Sequence, residues 1–291
     1  MWDQEESTVQ GSADTLTRPM PRISVLMTVY NGSASIEEAI SSLVNQDFNG
    51  PYEIIIVNDG STDSTPELLR AIEWKYPNVH VFDTGRIGRA RALNFGLSQC
   101  RAPYVAINDC DDISYPERLR LQVEYLDDNP DVALVAGWAR VIDDEGNEIE
   151  ARRVTDNKKS LRRRLAIGNP FIHSTVTYRR ERLERLGGFR ESQVVAIDYD
   201  VIERIARHGE LGFVEEFLLT HYRGERQYFR ANTDVSIRWR SAGKIAMRAA
   251  LRHSWWMLPV STVVYILTLI PGVGILQGAV RRIHGQLVSG K

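Results

Sequence analysis

The chain has 291 residues, 43% of them hydrophobic and 25% charged, an ordinary globular composition with enough length to bury one large core or two modest ones. Its net charge of −2 gives no electrostatic case for nucleic acid, and none is expected as a partner. Cys100 and Cys110 are the only cysteines, too few for a disulfide framework and without zinc-ligand spacing, so a reducing compartment is the simpler assumption.

Residues 1–21 are polar, acidic and rich in Ser and Thr, with neither a basic n-region nor an apolar h-region. They predict a disordered lead-in and no secretory signal. Ile23 to Val29 is an apolar run ending at Tyr30-Asn31-Gly32, and Ile36, Ala39, Ile40, Leu43 and Val44 then follow at helical spacing: strand, loop, helix. The device repeats. Ile54 to Val57 reads as a buried strand, Asn58 to Asp63 as a turn, and Ser64 or Thr65 as the cap of a helix whose first turn holds Pro66 and Glu67. Val79 to Phe82 is a third strand and Gly88 to Leu97 a third helix. Tyr104 to Ile107 is a fourth strand, running into Asn108, Asp109, Cys110, Asp111 and Asp112.

Continuous apolar strands alternating with helices predict an α/β fold, a mostly parallel sheet with helices on both faces. Ligands of such sheets bind outside the carboxyl ends of the strands, where this sequence places Thr28, Tyr30, Asn31, Asp59 and the aspartates of the fourth strand. Three carboxylates so close together raise one another's pKa unless a cation offsets them, and an all-oxygen cluster suits Mg or Mn. Taken alone, the same acidic run also reads as a solvated turn. An EF-hand is excluded: counting from Asp109, positions six and twelve are Ser114 and Arg120 instead of Gly and Glu.

Beyond Pro116, Leu119, Val123 and Leu126 mark a helix, Val132 to Ala136 a strand, and Val141 to Ile149 a hairpin about Asp143-Asp144-Glu145-Gly146-Asn147. Asp156 to Ile167 is a basic helical stretch, read as a solvated face. His173 opens the run Ser174 to Tyr178, Arg182 to Leu186 is a helix stopped by Gly187-Gly188, and Asp198-Tyr199-Asp200 opens another helix, where the dipole favours a carboxylate.

The segments ISVLMTVYNG, EIIIVNDGSTDST, GRARALNFGLSQCRAPYVAINDCDDISYPERLRLQVEYL, NPFIHSTVTYRRERLERLGGF and AIDYDVIERIARHG occur in this order between Arg22 and Arg223. Together they resemble the inverting glycosyltransferases of family 2, which have the GT-A fold, a Rossmann-like central sheet. The resemblance implies that Thr28, Tyr30 and Asp59 hold the nucleoside of a nucleotide-sugar donor, a UDP-sugar by default. It implies that Asp109-Cys110-Asp111 is a DxD motif, with Asp109 near the ribose and Asp109 and Asp111 on a divalent metal, Mn or Mg. Asp198 falls where the family keeps its catalytic base. Asn31, Arg91 and Asn94 are further donor-side candidates. For Arg86, Arg89 and Arg91 the alternative is a solvated helix face, and for Asn94 a loop brace. His173 reads either as an acceptor-side group or as a satisfied core histidine.

Ile197 departs from the pattern, since relatives usually carry Glu before that aspartate. The QxxRW motif of processive relatives is absent, which implies one sugar per encounter. Two other functions remain open on the sequence: a haloacid dehalogenase-like phosphatase with Asp109 as nucleophile and Asp111 as acid, and a noncatalytic membrane scaffold.

After Asp234 no acidic residue occurs. Residues 236–291 carry eight basic residues, leaving 28 basic against 38 acidic residues in the rest of the chain. Lys244, Arg248 and Arg252 fall four apart on one helical stripe, Trp255-Trp256 follows, and Met257 to Val280 is uncharged but interrupted by Pro259 and Pro271-Gly272. This predicts a boundary near 235, with 22–235 catalytic and 236–291 a helical segment. That segment would oligomerise or meet an anionic membrane as a re-entrant or interfacial element. On that reading the protein sits at the cytoplasmic face of the cell membrane, with a glycan or polyprenyl-linked acceptor.

Overall fold

The computed structural model describes residues 19–154, 158–224, 235–253 and 255–269. The predicted lead-in up to residue 18, the start of the basic stretch at Asp156 and the uncharged run beyond 269 lie outside the described residues. Among the described residues nine strands form one sheet: β1 (Ile23–Val29), β2 (Tyr52–Asn58), β3 (Val79–Asp83), β4 (Tyr104–Ile107), β5 (Ile113–Ser114), β6 (Val132–Ile142), β7 (Glu148–Arg152), β8 (Thr177–Arg179) and β9 (Glu210–Tyr222). Their order is β3-β2-β1-β4-β8-β6-β9-β5, with β7 also paired to β6. The first four positions are parallel, β8 joins β4 and β6 antiparallel, and β9 returns parallel to β6.

The inner strands of the parallel half, β1, β2 and β4, carry apolar runs because both their faces are covered. Alternate residues divide between two cores: Val25, Met27, Ile54 and Ile56 pack with α1 (Ile36–Val44), α2 (Thr65–Lys75) and α4 (Arg118–Asp128). Leu26, Ile55 and Val57 pack on the other face, whose core draws in α3 (Arg89–Gln99), α5 (Lys158–Arg164), α6 (Arg180–Arg185) and α7 (Ile197–Ile205). Ile245, Ala246 and Ala249 of α8 (Val235–His253) belong to that same core.

Two features differ from the sequence expectation. The predicted strand at Val132 to Ala136 continues through Ile142 before the hairpin turns into β7. β9, thirteen residues long, has no counterpart in the sequence reading. Its burial does not alternate cleanly, because its register against β6 shifts at Gly137 and Trp138, where a Cβ on Gly137 would lie 2.2 Å from Leu218 Cδ1.

The C-terminal stripe also reads differently in three dimensions. Arg248 and Arg252, expected on the surface, turn toward α7: Arg248 Nη2 lies 2.9 Å from Asp200 Oδ1 and Arg252 Nη1 3.3 Å from Glu203 Oε1. Both carboxylates are fully buried. Lys244 stays exposed. A 3-10 turn (Trp255–Met257) leads into α9 (Leu258–Leu269), which packs back on α8 with Tyr265 against Gly243. The opposite side shows Trp255, Trp256, Val260, Val263 and Ile266 to solvent. Among the described residues no helix is long and apolar enough to cross a membrane.

Candidate active site

The carboxyl ends of β1, β2 and β4 open into a cleft of about 390 Å³. Two loops at its rim are tied to each other, which explains the polar runs after β1 and β2. Gly32 N donates to Thr65 Oγ1 (2.9 Å), Ser33 N to Asp63 Oδ2 (3.1 Å), Asn31 N to Ser61 Oγ (2.9 Å) and Thr62 N to Asn31 Oδ1 (2.8 Å). Asn31 thus adopts a left-handed φ of 53° as a loop tie. The cap of α2 is not a Ser64 or Thr65 side chain: Thr65 N donates to Asp63 Oδ1 instead.

Asp59 is buried, and its Oδ1 accepts the backbone N–H of Ile87 (2.7 Å) and Gly88 (2.9 Å), while Oδ2 pairs with Arg86. The Arg86 guanidinium also lies over the Tyr30 ring, 3.6 Å from its centre. Gly60 (φ 72°) allows the 85–88 loop this close, since a Cβ there would fall 2.6 Å from Arg86 N.

The acidic loop after β4 rests on a buried arginine that the sequence reading passed over. Arg118 is fully buried and donates to Asn108 Oδ1, Ser114 Oγ and Ile107 O, each at 2.8 Å, and to Gln122 Oε1 at 3.2 Å. Burial lowers its pKa to about 9, so it remains a cation at pH 7. Above it, ligand oxygens of Asp109, Asp111 and Asp112 all lie within 4.8 Å of one another. Their surroundings differ. Burial alone would raise Asp109, but Arg89, 2.5 Å from its Oδ1, holds it below the usual carboxylate range, helped by the His221 imidazolium. Burial, followed by the charges of Asp112 and Asp109, pushes Asp111 up to about 7. Asp112 Oδ1 accepts from His221 Nδ1 at 2.8 Å. Burial disfavours the imidazolium, yet Asp112, then Asp111 and Asp109, raise the His221 pKa. A crowded all-oxygen donor set, one member of which holds a proton near neutrality, fits a hard divalent cation.

The second wall comes from later in the chain: Arg152 of β7, His173 and the residues before it, the start of α7, and His221 of β9. Ala196, left-handed at φ 55°, opens α7 and puts Asp198 in its first turn. Asn169 Nδ2 donates to Asp198 Oδ2 at 2.7 Å. Ile197, in place of the usual Glu, also lines the cleft. His173 is buried, and its Nε2 has no hydrogen-bond partner among the described residues. Burial keeps the ring neutral against the pull of Asp198 and Asp109.

Of the sequence candidates, Thr28, Tyr30, Asp59, Asp109, Asp111, His173 and Asp198 line this cleft. Three are directed elsewhere. Asn31 ties loops as described; Arg91 pairs with Glu191 on the surface at 3.1 Å; Asn94 clasps the backbone of Phe189 with two bonds of 2.8 Å. The arginines of that segment that do reach the cleft are Arg86 and Arg89, set by the loop and the first turn of α3. His221 had no local signal, since β9 brings it in by a pairing with β6 distant in sequence, and Arg152 arrives on the second strand of the β6–β7 hairpin, which the sequence reading did not assign to the site.

The profile described as Glycosyl transferase family 2 matches residues 24–187, more than half of the chain. The chain belongs to that family. Among curated relatives, the uncharacterized glycosyltransferase MJ1057 of Methanocaldococcus jannaschii is 28% identical over 205 residues, 69% of this chain and 70% of the relative. The UDP-Gal:alpha-D-GlcNAc-diphosphoundecaprenol beta-1,3-galactosyltransferase of Escherichia coli is 29% identical over 174 residues, 58% of this chain and 62% of that protein. The chain spans 60% to 70% of the length of these and similar curated relatives. Among solved structures, the mannosyltransferase PcManGT from Pyrobaculum calidifontis, in complex with GDP-Man and Mn2+, superposes with a TM-score of 0.62 at 22% identity, covering 93% of this chain and 84% of that one. S. aureus TarS 1-349 in complex with UDP-GlcNAc gives 0.65 at 18% identity, covering 85% and 71%. These likenesses show that the family 2 glycosyltransferase described here has the GT-A type fold. They lend no support to the phosphatase or scaffold readings.

Proposed function

We propose that this glycosyltransferase moves one sugar from a nucleotide-diphospho-sugar to a hydroxyl of a glycan or lipid-linked glycan, with inversion and with dependence on a divalent metal. The observation that carries the proposal is that Asp198 lines the same cleft as Asp109 and Asp111, close enough that Arg89 and His173 each feel both Asp198 and Asp109. Thr28, Tyr30 and Asp59 bind the nucleoside of a nucleotide sugar, UDP by family default; nucleotide-sugar binding is supported by TarS and PcManGT, solved with UDP-GlcNAc and GDP-Man. Asp109 and Asp111 would hold Mn2+ or Mg2+, which when bound offsets charge on the diphosphate. Asn169 orients Asp198 through Oδ2, leaving Oδ1 to take the proton of the attacking hydroxyl. With the base and the diphosphate on opposite sides of the sugar, a single displacement inverts the anomeric carbon. Asp198→Asn should lower turnover roughly 10²-fold or more at saturating donor. Wild-type turnover in a folded Asp198→Asn protein would refute the assignment.

The exposed Trp255, Trp256, Val260, Val263 and Ile266 support peripheral docking on an anionic membrane at the cytoplasmic face. A protein that fails to float with anionic liposomes, like one truncated after Asp234, would remove that part of the proposal.

A further inference from the structure

The two walls of the cleft differ in how their cations are used. On the nucleotide side Arg86 is taken by Asp59 and Arg89 by Asp109. On the second wall Arg152 lines the cleft about a third exposed, and among the described residues its guanidinium has no hydrogen-bond acceptor. Among the described residues the carboxylate nearest to it, Glu150, is 3.7 Å from its Nε, beyond hydrogen-bond distance. Glu150 is meanwhile engaged by Arg223, whose Nη1 is 2.7 Å from its other oxygen. Arg223 Nε is itself buried and without a partner among the described residues. Two guanidiniums therefore share one carboxylate on the wall that also holds Asp198. A guanidinium with open donors in a cleft is suited to phosphate, whose oxygens match its fork. A neutral sugar hydroxyl would leave most of that capacity unused.

Resting on the glycosyltransfer reading above, we propose that Arg152, supported by Glu150 and Arg223, forms an acceptor subsite for a phosphate or diphosphate group, so that the acceptor is a sugar phosphate ester and not a neutral glycan. The donor carries a diphosphate too, so the test must hold the donor site filled. Full-length protein saturated with UDP and Mn2+ is titrated with geranyl diphosphate, and separately with geraniol, by calorimetry. Geranyl diphosphate should bind and geraniol should not at the same concentration. Arg152→Met should weaken geranyl diphosphate about tenfold or more with UDP affinity unchanged, Arg152→Lys should weaken it less, and Arg185→Met, a surface change on α6, should have no effect. Equal binding of geranyl diphosphate by wild type and Arg152→Met overturns the proposal. So does a parallel loss of UDP binding in Arg152→Met, which would assign the arginine to the donor. If the wild type binds UDP but no geranyl diphosphate, this inference alone fails. If it binds neither UDP nor GDP, the glycosyltransfer reading fails and this inference with it.

Discussion

Replacing Arg248 by methionine should destabilise the protein without weakening its attachment to anionic vesicles, the reverse of what a basic membrane stripe would do. Asp200 is fully buried and takes Arg204 Nε on Oδ2 at 2.8 Å and Arg248 Nη2 on Oδ1 at 2.9 Å. Removing Arg248 leaves Oδ1 with Arg190 at 3.6 Å, outside hydrogen-bond distance. A carboxylate stripped of its partner in the interior costs ~3–5 kcal/mol. Arg204 remains, so the loss here should be nearer that of one charge-assisted hydrogen bond, about 2 kcal/mol. With a urea m-value of about 3 kcal/mol/M for a chain of this size, the unfolding midpoint should fall by ~0.7 M. Lys244→Met, one turn earlier on the exposed side of α8, should shift stability by less than about 0.5 kcal/mol. Asp200→Asn combined with Arg248→Met should lose less than the sum of the single changes. A variant at position 248 as stable as the wild type, or one that loses vesicle flotation while Lys244→Met does not, would show that Arg248 faces the membrane and that the ion pair with α7 does not hold the helix.

Other changes test the site itself. Arg118→Met removes four hydrogen bonds beneath the acidic loop and should cost about 3 kcal/mol by urea unfolding, with weaker Mn2+ binding in the protein that remains folded; unchanged Mn2+ affinity would mean the loop does not depend on its floor. Because Asp111 in the metal-free protein is pushed up to about 7, Mn2+ must displace a proton below that pH. Affinity measured by calorimetry should rise roughly tenfold per pH unit up to about 7 and level off above it, and a flat profile from pH 5.5 to 7 would contradict the pKa assignment. Ala196→Gly relieves a left-handed φ at the start of α7. Stability should therefore hold within about 0.5 kcal/mol or rise, where Ala→Gly at an ordinary helical position loses up to ~1 kcal/mol. A loss of that size would mean that the left-handed backbone carries no strain.

Much of the parallel half was legible because its signals are local. Val25 to Met27 and Ile54 to Val57 are buried on both faces and so read as unbroken apolar runs, and the polar residues that follow them stand where the chain leaves the sheet. The second wall was less legible. β9 lost its alternation to register shifts, and His221 reaches Asp112 across 109 positions, a distance no spacing rule covers. Arg91 and Arg89 were indistinguishable as sequence. Their directions are set by the turn at Gly88 (φ 90°), which starts the helix so that Arg89 meets Asp109 and Arg91 meets Glu191. The stripe of Lys244, Arg248 and Arg252 read as part of a membrane-facing or oligomerising segment because the acids that engage its last two members lie forty-odd residues earlier, inside α7.

The two walls of the cleft also have different addresses along the chain. Asp59, Asp109 and Asp111 follow the parallel strands β2 and β4, which flank β1, within the first 112 residues, whereas Arg152, His173, Asp198 and His221 are supplied only later. A growing chain emerges amino end first, so the parallel strands that carry Asp59, Asp109 and Asp111 can begin to organise before residue 221 exists, and the slow, long-range pairing of β6 with β9 closes the cleft last. The same division has a hereditary consequence. On the proposed assignment, substitutions after residue 150 would alter what the cleft accepts while the contacts around β1, β2 and β4 stay as they are, so acceptor choice could change without rebuilding the donor side.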